Sequence, residues 1–237
     1  MGDYVHINAK GGGHFAGWLA LPDVPKAPGV VLVQYICGVN APMRRIADRL
    51  AGNGFVVLVP DLYWRIRPNV ALNNDPSTPS QDETAQALAL NGQFDDETGV
   101  VDLRTSLDWL RAHPQCNGHA GVLGYCLGGR MAYLMAARSN SEANVGYYGV
   151  NIRKYLAEAA QVSKPLMLHF AESDNICLPD ERAEIMTALR SNSQVSMFLY
   201  DKMGHQFALP GGQSYDRSAA DLADTRSIAF LKTHLSS

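Results

Sequence analysis

"GVLGYCLGGRMAYLMAA", residues 121–137, decides how this chain is read. An apolar stretch runs into Gly124-Tyr125-Cys126-Leu127-Gly128, and a helix-forming run follows without a linker. That is a strand, a tight turn and a helix. The turn matches G-x-S-x-G, the nucleophile elbow, with cysteine in the place of serine. Such a turn needs glycines, because side chains at positions 124 and 128 would strike the neighbouring strand and helix. It lifts the sulfur of Cys126 above the sheet edge and sets it at a helix N-terminus, where the dipole favours a thiolate. A buried structural cysteine in a glycine-rich turn is the competing reading, so the partners of a nucleophile must be found elsewhere.

Outward from the elbow, strands and helices alternate. "PGVVLVQ" and "GFVVLVP" predict short buried strands, and "PMRRIADRLAGNG" between them predicts a helix with Ile46 and Leu50 on one face and Gly54 as its stop. "TGVVDLRTSLDWLRAH", "PDERAEIMTALRS" and the C-terminal "SYDRSAADLADTRSIAFLKTHL" predict further helices. "ANVGYYG", "KPLMLHFAE" and "QVSMFLYD" predict strands. This rhythm predicts an α/β fold with a mostly parallel twisted sheet and helices on both faces. At the N-terminus, "DYVHINA" and "HFAGWLAL" flank "KGGG" and predict a β-hairpin; a phosphate-cradling loop would lead into a helix instead. We expect a single domain over residues 1–237. Residues 63–93 interrupt the pattern with Pro, Asn, Ser and Asp and a short helical run near Glu83–Leu90, as a lid or pocket wall would.

Composition narrows the function. The chain has 237 residues, 46% hydrophobic and 18% charged, with a formal charge of −3. No basic run suits a nucleic-acid backbone, no apolar run suits a membrane span, and the first residues lack a secretory pattern. A cytoplasmic location is expected. The four cysteines, Cys37, Cys116, Cys126 and Cys177, show no C-x-x-C pair, and a disulfide framework is not expected.

A nucleophile elbow calls for an acid and then a histidine, in that order along the chain. "KPLMLHFAESDN" ends a strand at Asp174, and "QVSMFLYDKMGHQF" leads into a loop at His205. Both positions fall at the sheet edge where open α/β sheets carry their sites. Glu172 and Asp180 are rival acids. Of the seven histidines, His205 alone combines the order with a loop position. His169 sits within a strand, where a satisfied core histidine is the usual case.

With these residues in view, the chain resembles the dienelactone hydrolase (carboxymethylenebutenolidase) family of the α/β-hydrolase superfamily. "GYCLGG" at 124–129, "VGYYGV" at 145–150, Asp174 and "GHQFA" at 204–208 carry the resemblance, with "VPDLYWR" at 59–65 and "CGVNAPMRRIADRLAGNGF" in support. The resemblance implies an α/β-hydrolase fold and a catalytic Cys126, Asp174 and His205. It implies acyl transfer through a thioester, with oxyanion donors at the backbone N–H groups of Ile36 and Leu127. It needs no cofactor and no metal, and it implies a small-molecule ester or lactone substrate and a monomer or weak dimer. Tyr35, Cys37, Leu88, Tyr148, Ile176, Gln206 and Leu209 are expected around the substrate.

Two departures stand out. Where the family loop reads Q-E-I-F-G-V-N, this chain has Gln34-Tyr35-Ile36-Cys37-Gly38-Val39-Asn40. The glutamate that would accept the thiol proton is Tyr35, and a phenol cannot accept it near neutrality. Cys126 is then expected to pair directly with His205. Cys37, in place of an aromatic, is expected to line the pocket and to be a secondary target of thiol reagents. The arginines that hold a substrate carboxylate are also missing: Leu209 stands where one would follow His205, and "SQDETAQALALNG" contains none. Arg65 and Arg67 are the candidates for compensation. A pocket without that clamp favours neutral aryl esters and lactones, with phosphotriesters as an extension. The rival readings are true dienelactone hydrolysis, another acyl transfer on the same triad, a non-catalytic binding protein on the same fold, and a metallohydrolase. The last finds no H-E-x-x-H or similar cluster.

Overall fold

The computed structural model describes residues 2–73, 78 and 80–236. Its frame is one eight-stranded sheet. The strands are β1 (Asp3–Asn8), β2 (His14–Ala20), β3 (Ala27–Val33), β4 (Val56–Pro60), β5 (Cys116–Tyr125), β6 (Asn144–Tyr147), β7 (Leu166–Ala171) and β8 (Val195–Tyr200). Their order across the sheet is β1-β2-β4-β3-β5-β6-β7-β8. The first two strands form the expected hairpin, and β2 joins β4 antiparallel. From β4 to β8 every pairing is parallel. Parallel strands covered on both faces must be apolar throughout; all five residues of β4 and the Val30–Val33 run of β3 are buried accordingly.

The helices are α1 (Ala41–Gly52), α2 (Gln81–Gln93), α3 (Asp96–Arg111), α4 (Leu127–Arg138), α5 (Pro179–Leu189) and α6 (Arg217–Leu235). Local chemistry starts several of them. The Asn40 side chain accepts the Met43 N–H at α1, Ser80 accepts the Glu83 N–H at α2, and Asp95 accepts the N–H groups of Glu97 and Thr98 at α3. Asn53 caps the end of α1 just before Gly54 turns the chain away at φ +90°. Helix α4 is buried from Leu127 to Ala136, which makes it the central helix of the core. A 3-10 helix at Ile152–Gln161 was not anticipated. It is held from outside: the Tyr133 hydroxyl donates to the Tyr155 carbonyl, and Arg138 grips Glu158 with two bonds of 2.6 Å.

Parallel register brings four rings into a row across the sheet. Tyr125 pairs with Tyr147, Tyr147 with His169, and His169 with Phe198. Their ring centroids stand 4.6, 4.4 and 5.8 Å apart, all stacked. Cross-strand aromatic contact of this kind fixes the strands relative to one another. The next residue on β5 is Cys126 and the next after β6 is Tyr148, so the row aligns the two strand ends that carry them.

The 63–93 insertion is less of a lid than the sequence suggests. Its first part is pinned beneath the loop after β3: Val39 N–H donates to Val70 O (2.9 Å), and Leu72 N–H donates to Cys37 O (2.9 Å). Val70 and Leu72 are buried. The helical run extends over Gln81–Gln93. Residues 74–77 and 79 of this insertion lie outside the described residues. Among the described residues, no helix is long and apolar enough to cross a membrane.

Candidate active site

Cys126 is the hinge between β5 and α4, at φ 56° and ψ −111°. A side chain in the left-handed region is costly, and such strain gathers at functional turns. The turn is held by the Cys126 N–H donating to Tyr147 O (3.0 Å), and by the Cys126 carbonyl accepting from Gly129 (2.9 Å) and Arg130 (3.2 Å). The glycines are required by proximity. A Cβ on Gly124 would lie 2.1 Å from the Gly128 carbonyl oxygen, and one on Gly128 would lie 2.4 Å from Val33 O. Elbow, central strand and central helix are therefore pressed backbone to backbone.

Asp174 and His205 meet as their chain order requires. Asp174 follows β7, and its Oδ1 accepts from the N–H groups of Ile176 (2.8 Å) and Cys177 (3.0 Å). Its Oδ2 lies 2.9 Å from His205 Nδ1. All three residues, Cys126, Asp174 and His205, are buried to within 6% of full exclusion. His205 Nε2 is also buried and makes no directed hydrogen bond with a described residue. Burial by itself would lower the His205 pKa. The hydrogen bond to Asp174, followed by the neighbouring sulfur of Cys126, reverses that and raises it to about 9. An imidazole with Nδ1 held by a carboxylate and Nε2 directed toward a thiol can exchange a proton with that thiol. The rival acids are engaged elsewhere: Glu172 accepts the Lys202 N–H, and Asp180 pairs with Arg153. His169 is a satisfied core histidine between the Tyr200 and Ser227 hydroxyls, both at 2.9 Å.

The loop after β3 lies at the same edge. Neither the Ile36 N–H nor the Leu127 N–H donates to another described residue. Gly38, at φ +78°, cannot carry a side chain, since its Cβ would come within 2.1 Å of Val70 O. Asn40 ties the loop down, donating from Nδ2 to the Tyr35 hydroxyl (2.6 Å) and to Leu72 O (2.9 Å). Tyr35 is buried. That burial, with neighbouring Cys37 next, holds its pKa well above the ordinary phenol value. It stays a neutral phenol and cannot take a thiol proton.

Other expectations are corrected. Cys37 is buried beside Tyr35, and burial pushes its thiol up to about 12, which disfavours the thiolate a thiol reagent needs. Leu88 is 58% exposed while Ala87 and Leu90 are buried; α2 packs on the core through those two and turns Leu88 to solvent. Ile176 is also exposed, at 52%, and what it contributes inward is the N–H on Asp174. Gln206, half-buried at φ 69°, and the buried Leu209 follow His205 in one turn, with Leu209 N–H donating to Gln206 O (3.0 Å). Arg65 does not compensate for the missing arginines: it pairs with buried Asp102 at 2.8 and 3.2 Å and stacks over Trp64. Arg67 donates to Gln86.

Tyr148 is buried with its ring 4.9 Å from that of His205. Sequence reasoning missed Tyr63, which is fully buried after β4 and within the electrostatic reach of Cys126. Its signal was an aromatic at the C-terminal edge of the sheet, in "PDLYWR".

Comparisons with known proteins fit this geometry. The sequence model of the Dienelactone hydrolase family matches residues 15–235. The chain is 37% identical over 231 residues to Carboxymethylenebutenolidase 1 of Cupriavidus pinatubonensis, covering 98% of this chain and 97% of that one. It is 39% identical over 231 residues to Carboxymethylenebutenolidase of a Pseudomonas species, covering 96% and 94%. Among solved structures, a candidate dienelactone hydrolase from Klebsiella pneumoniae superposes with a TM-score of 0.81 at 22% identity, covering 97% and 98%. A dienelactone hydrolase-like promiscuous phosphotriesterase from metagenomic libraries gives 0.79 at 18%, covering 98% of each chain. These two structural likenesses speak for the α/β-hydrolase fold.

Proposed function

The chain belongs to the dienelactone hydrolase family, and on that premise we propose that this hydrolase is cysteine-dependent and acts on neutral carboxylic esters or lactones through a thioester, the whole chain serving as one domain. The observation that carries the reading is the buried line from Asp174 through His205 toward Cys126 on its strained elbow. The Cys126 thiol gives its proton to His205 Nε2, and the sulfur adds to the substrate carbonyl carbon. The oxyanion that forms takes the Ile36 and Leu127 N–H groups, each worth roughly 3 kcal/mol in the transition state. As the tetrahedral species collapses, the C–O bond breaks and the leaving oxygen takes the proton back from His205 Nε2. A water that gives its proton to His205 then adds to the thioester. Its collapse returns the proton to the sulfur and releases the acid. Asp174 holds the Nδ1–H tautomer throughout. Because Tyr35 replaces the proton-accepting glutamate, His205 alone activates the thiol.

Neutral substrates are favoured because the candidate arginines are engaged with protein partners, Arg65 with Asp102 and Arg67 with Gln86, as is Arg130 of α4 with Asp96 and Val150 O. A bidentate carboxylate clamp is therefore not on offer. Dienelactone itself is the second reading, favoured by the identity to carboxymethylenebutenolidases. Rates on p-nitrophenyl acetate, dienelactone and diethyl p-nitrophenyl phosphate separate the two. We expect the neutral ester to lead, with measurable phosphotriester turnover; a clear lead for dienelactone supports the second reading instead. Cys126→Ala is expected to abolish all three activities, and retained turnover sets aside the cysteine reading.

A further inference from the structure

Two buried phenols near Cys126 have hydroxyls that no other residue takes up. Tyr63 is 0% exposed and Tyr148 is 1% exposed. Neither hydroxyl makes a hydrogen bond with a described residue. Both lie within electrostatic range of Cys126. Most other buried or half-buried phenols are provided for: Tyr35 by Asn40, Tyr133 by Tyr155 O, Tyr147 by Asp224 and Ser227, and Tyr200 by His169 and Arg226. Tyr125, which also lacks a directed bond, answers to Arg49 and Tyr147 rather than to Cys126. A buried hydroxyl without a partner is unfavourable, and native proteins keep few of them. Two beside one nucleophile ask for an explanation.

Backbone geometry adds an independent sign. Tyr148 is held at φ 36°, a conformation that a bulky L-residue adopts only under constraint. Its own N–H donates to His169 O at 2.7 Å, which secures the strained turn. The constraint keeps the ring against His205, 4.9 Å between centroids, and edge-on to Phe207 at 5.6 Å. Tyr63, after β4, also lies within electrostatic range of Cys37 in the loop after β3.

We propose that the Tyr63 and Tyr148 hydroxyls form a neutral donor pair that takes an uncharged acceptor oxygen on the acyl portion of the substrate, such as an ether, keto or ring oxygen close to the acyl carbon. The pair is then a specificity device, and it rests on the Cys126 hydrolase reading. Phenols donate without bringing a positive charge, so they reward a neutral oxygen over a carboxylate, the reverse of an arginine clamp. Burial holds both well above the ordinary phenol pKa, so both remain donors across the working range. A site built to hydrogen-bond an acceptor rejects the analogue that lacks it, because its own donors are left unpaired.

The test uses two esters of the same shape, p-nitrophenyl methoxyacetate and p-nitrophenyl butyrate, which differ by oxygen for methylene. kcat/KM is measured for the wild type, Tyr63→Phe and Tyr148→Phe, and each methoxyacetate-to-butyrate ratio is divided by that for hydroxide. The wild-type ratio should exceed one, and each variant should lower it by roughly three- to tenfold, the range of one neutral hydrogen bond. Since the hydroxyls are unpaired in the free protein, both variants should melt at or above the wild-type Tm. Equal losses on the two esters overturn the proposal, as does a Tm lower by several degrees in both variants, which would mean the hydroxyls serve the fold. If the wild type shows no Cys126-dependent turnover of either ester, the hydrolase reading fails by itself. The pair is then judged by the Kd ratio of methoxyacetanilide to butyranilide: loss of a methoxy preference in the variants supports it, and an unchanged ratio overturns it.

Discussion

Replacing Asp174 by Asn keeps the shape of the side chain and removes the charge that His205 depends on. In the native site His205 titrates at about 9, against an ordinary value of 6.5, although burial works in the opposite direction. Without the carboxylate, burial is opposed only by the neighbouring sulfur of Cys126, and the imidazole should titrate below its native value. Each pH unit of that fall is worth about 1.4 kcal/mol. Two losses follow. A lower pKa leaves less imidazolium at pH 7.5, and each unit below the assay pH cuts the supply of acid for the leaving group roughly tenfold. The amide can also present its NH2 to Nδ1 and impose the wrong tautomer, which brings the total loss in kcat/KM to about 10³–10⁴. The assay is a pH profile of p-nitrophenyl acetate hydrolysis from pH 5 to 10. The wild type should lose activity on the alkaline side with an apparent pKa near 9, and the variant's residual activity should decline at lower pH. A variant that keeps its rate at pH 7.5 and its alkaline limb near 9 refutes the assignment of Asp174. Stability gives the same sign. A histidine whose folded pKa is raised contributes fully below about 6.5 and loses that contribution as pH rises through about 9. Wild-type Tm should therefore fall across that window more steeply than that of Asp174→Asn.

Gly38→Ala places a Cβ within 2.1 Å of Val70 O at φ +78°; it should cost about 2 kcal/mol or more and lower kcat through the displaced Ile36 N–H, and an unchanged Tm and kcat would show that the loop is not so constrained. His169 is held down to about 3 by burial and by Arg226. Its contribution, up to about 5 kcal/mol, is present above about 6.5 and lost as pH falls toward 3, so His169→Gln should flatten the acid side of the Tm profile. Iodoacetamide at pH 7.5 should label Cys126 and leave Cys37 untouched, because burial holds the latter up at about 12; rapid labelling of Cys126→Ala at Cys37, read by peptide mass, would contradict this. Arg65→Met should lower Tm, since it strips an ion-pair partner from buried Asp102. It should leave the ratio of dienelactone to p-nitrophenyl acetate rates unaltered.

Order and local geometry were legible without coordinates. The glycines at 124 and 128 and the apolar runs of β3, β4 and β5 follow from backbone sterics and from burial on both faces. The order Cys126, Asp174, His205 follows from which strand ends share one sheet edge, and the hairpin follows from alternation across a glycine turn. Each of these depends on neighbours a few residues away or on a repeating pattern. The expectations that did not hold were of another kind. Leu88 looks like a pocket residue until α2 is docked by Ala87 and Leu90, and Cys37 looks reactive until its burial is counted. Arg65 looks free until Asp102, on a different helix, reaches it. The unpaired hydroxyls of Tyr63 and Tyr148 cannot be seen in a sequence, which lists donors but not what lies opposite them. Covalent order and backbone sterics determine which groups arrive at the sheet edge. Desolvation and pairing across distant segments decide which of those groups are charged, satisfied or left facing Cys126, and both arise only when the chain is packed.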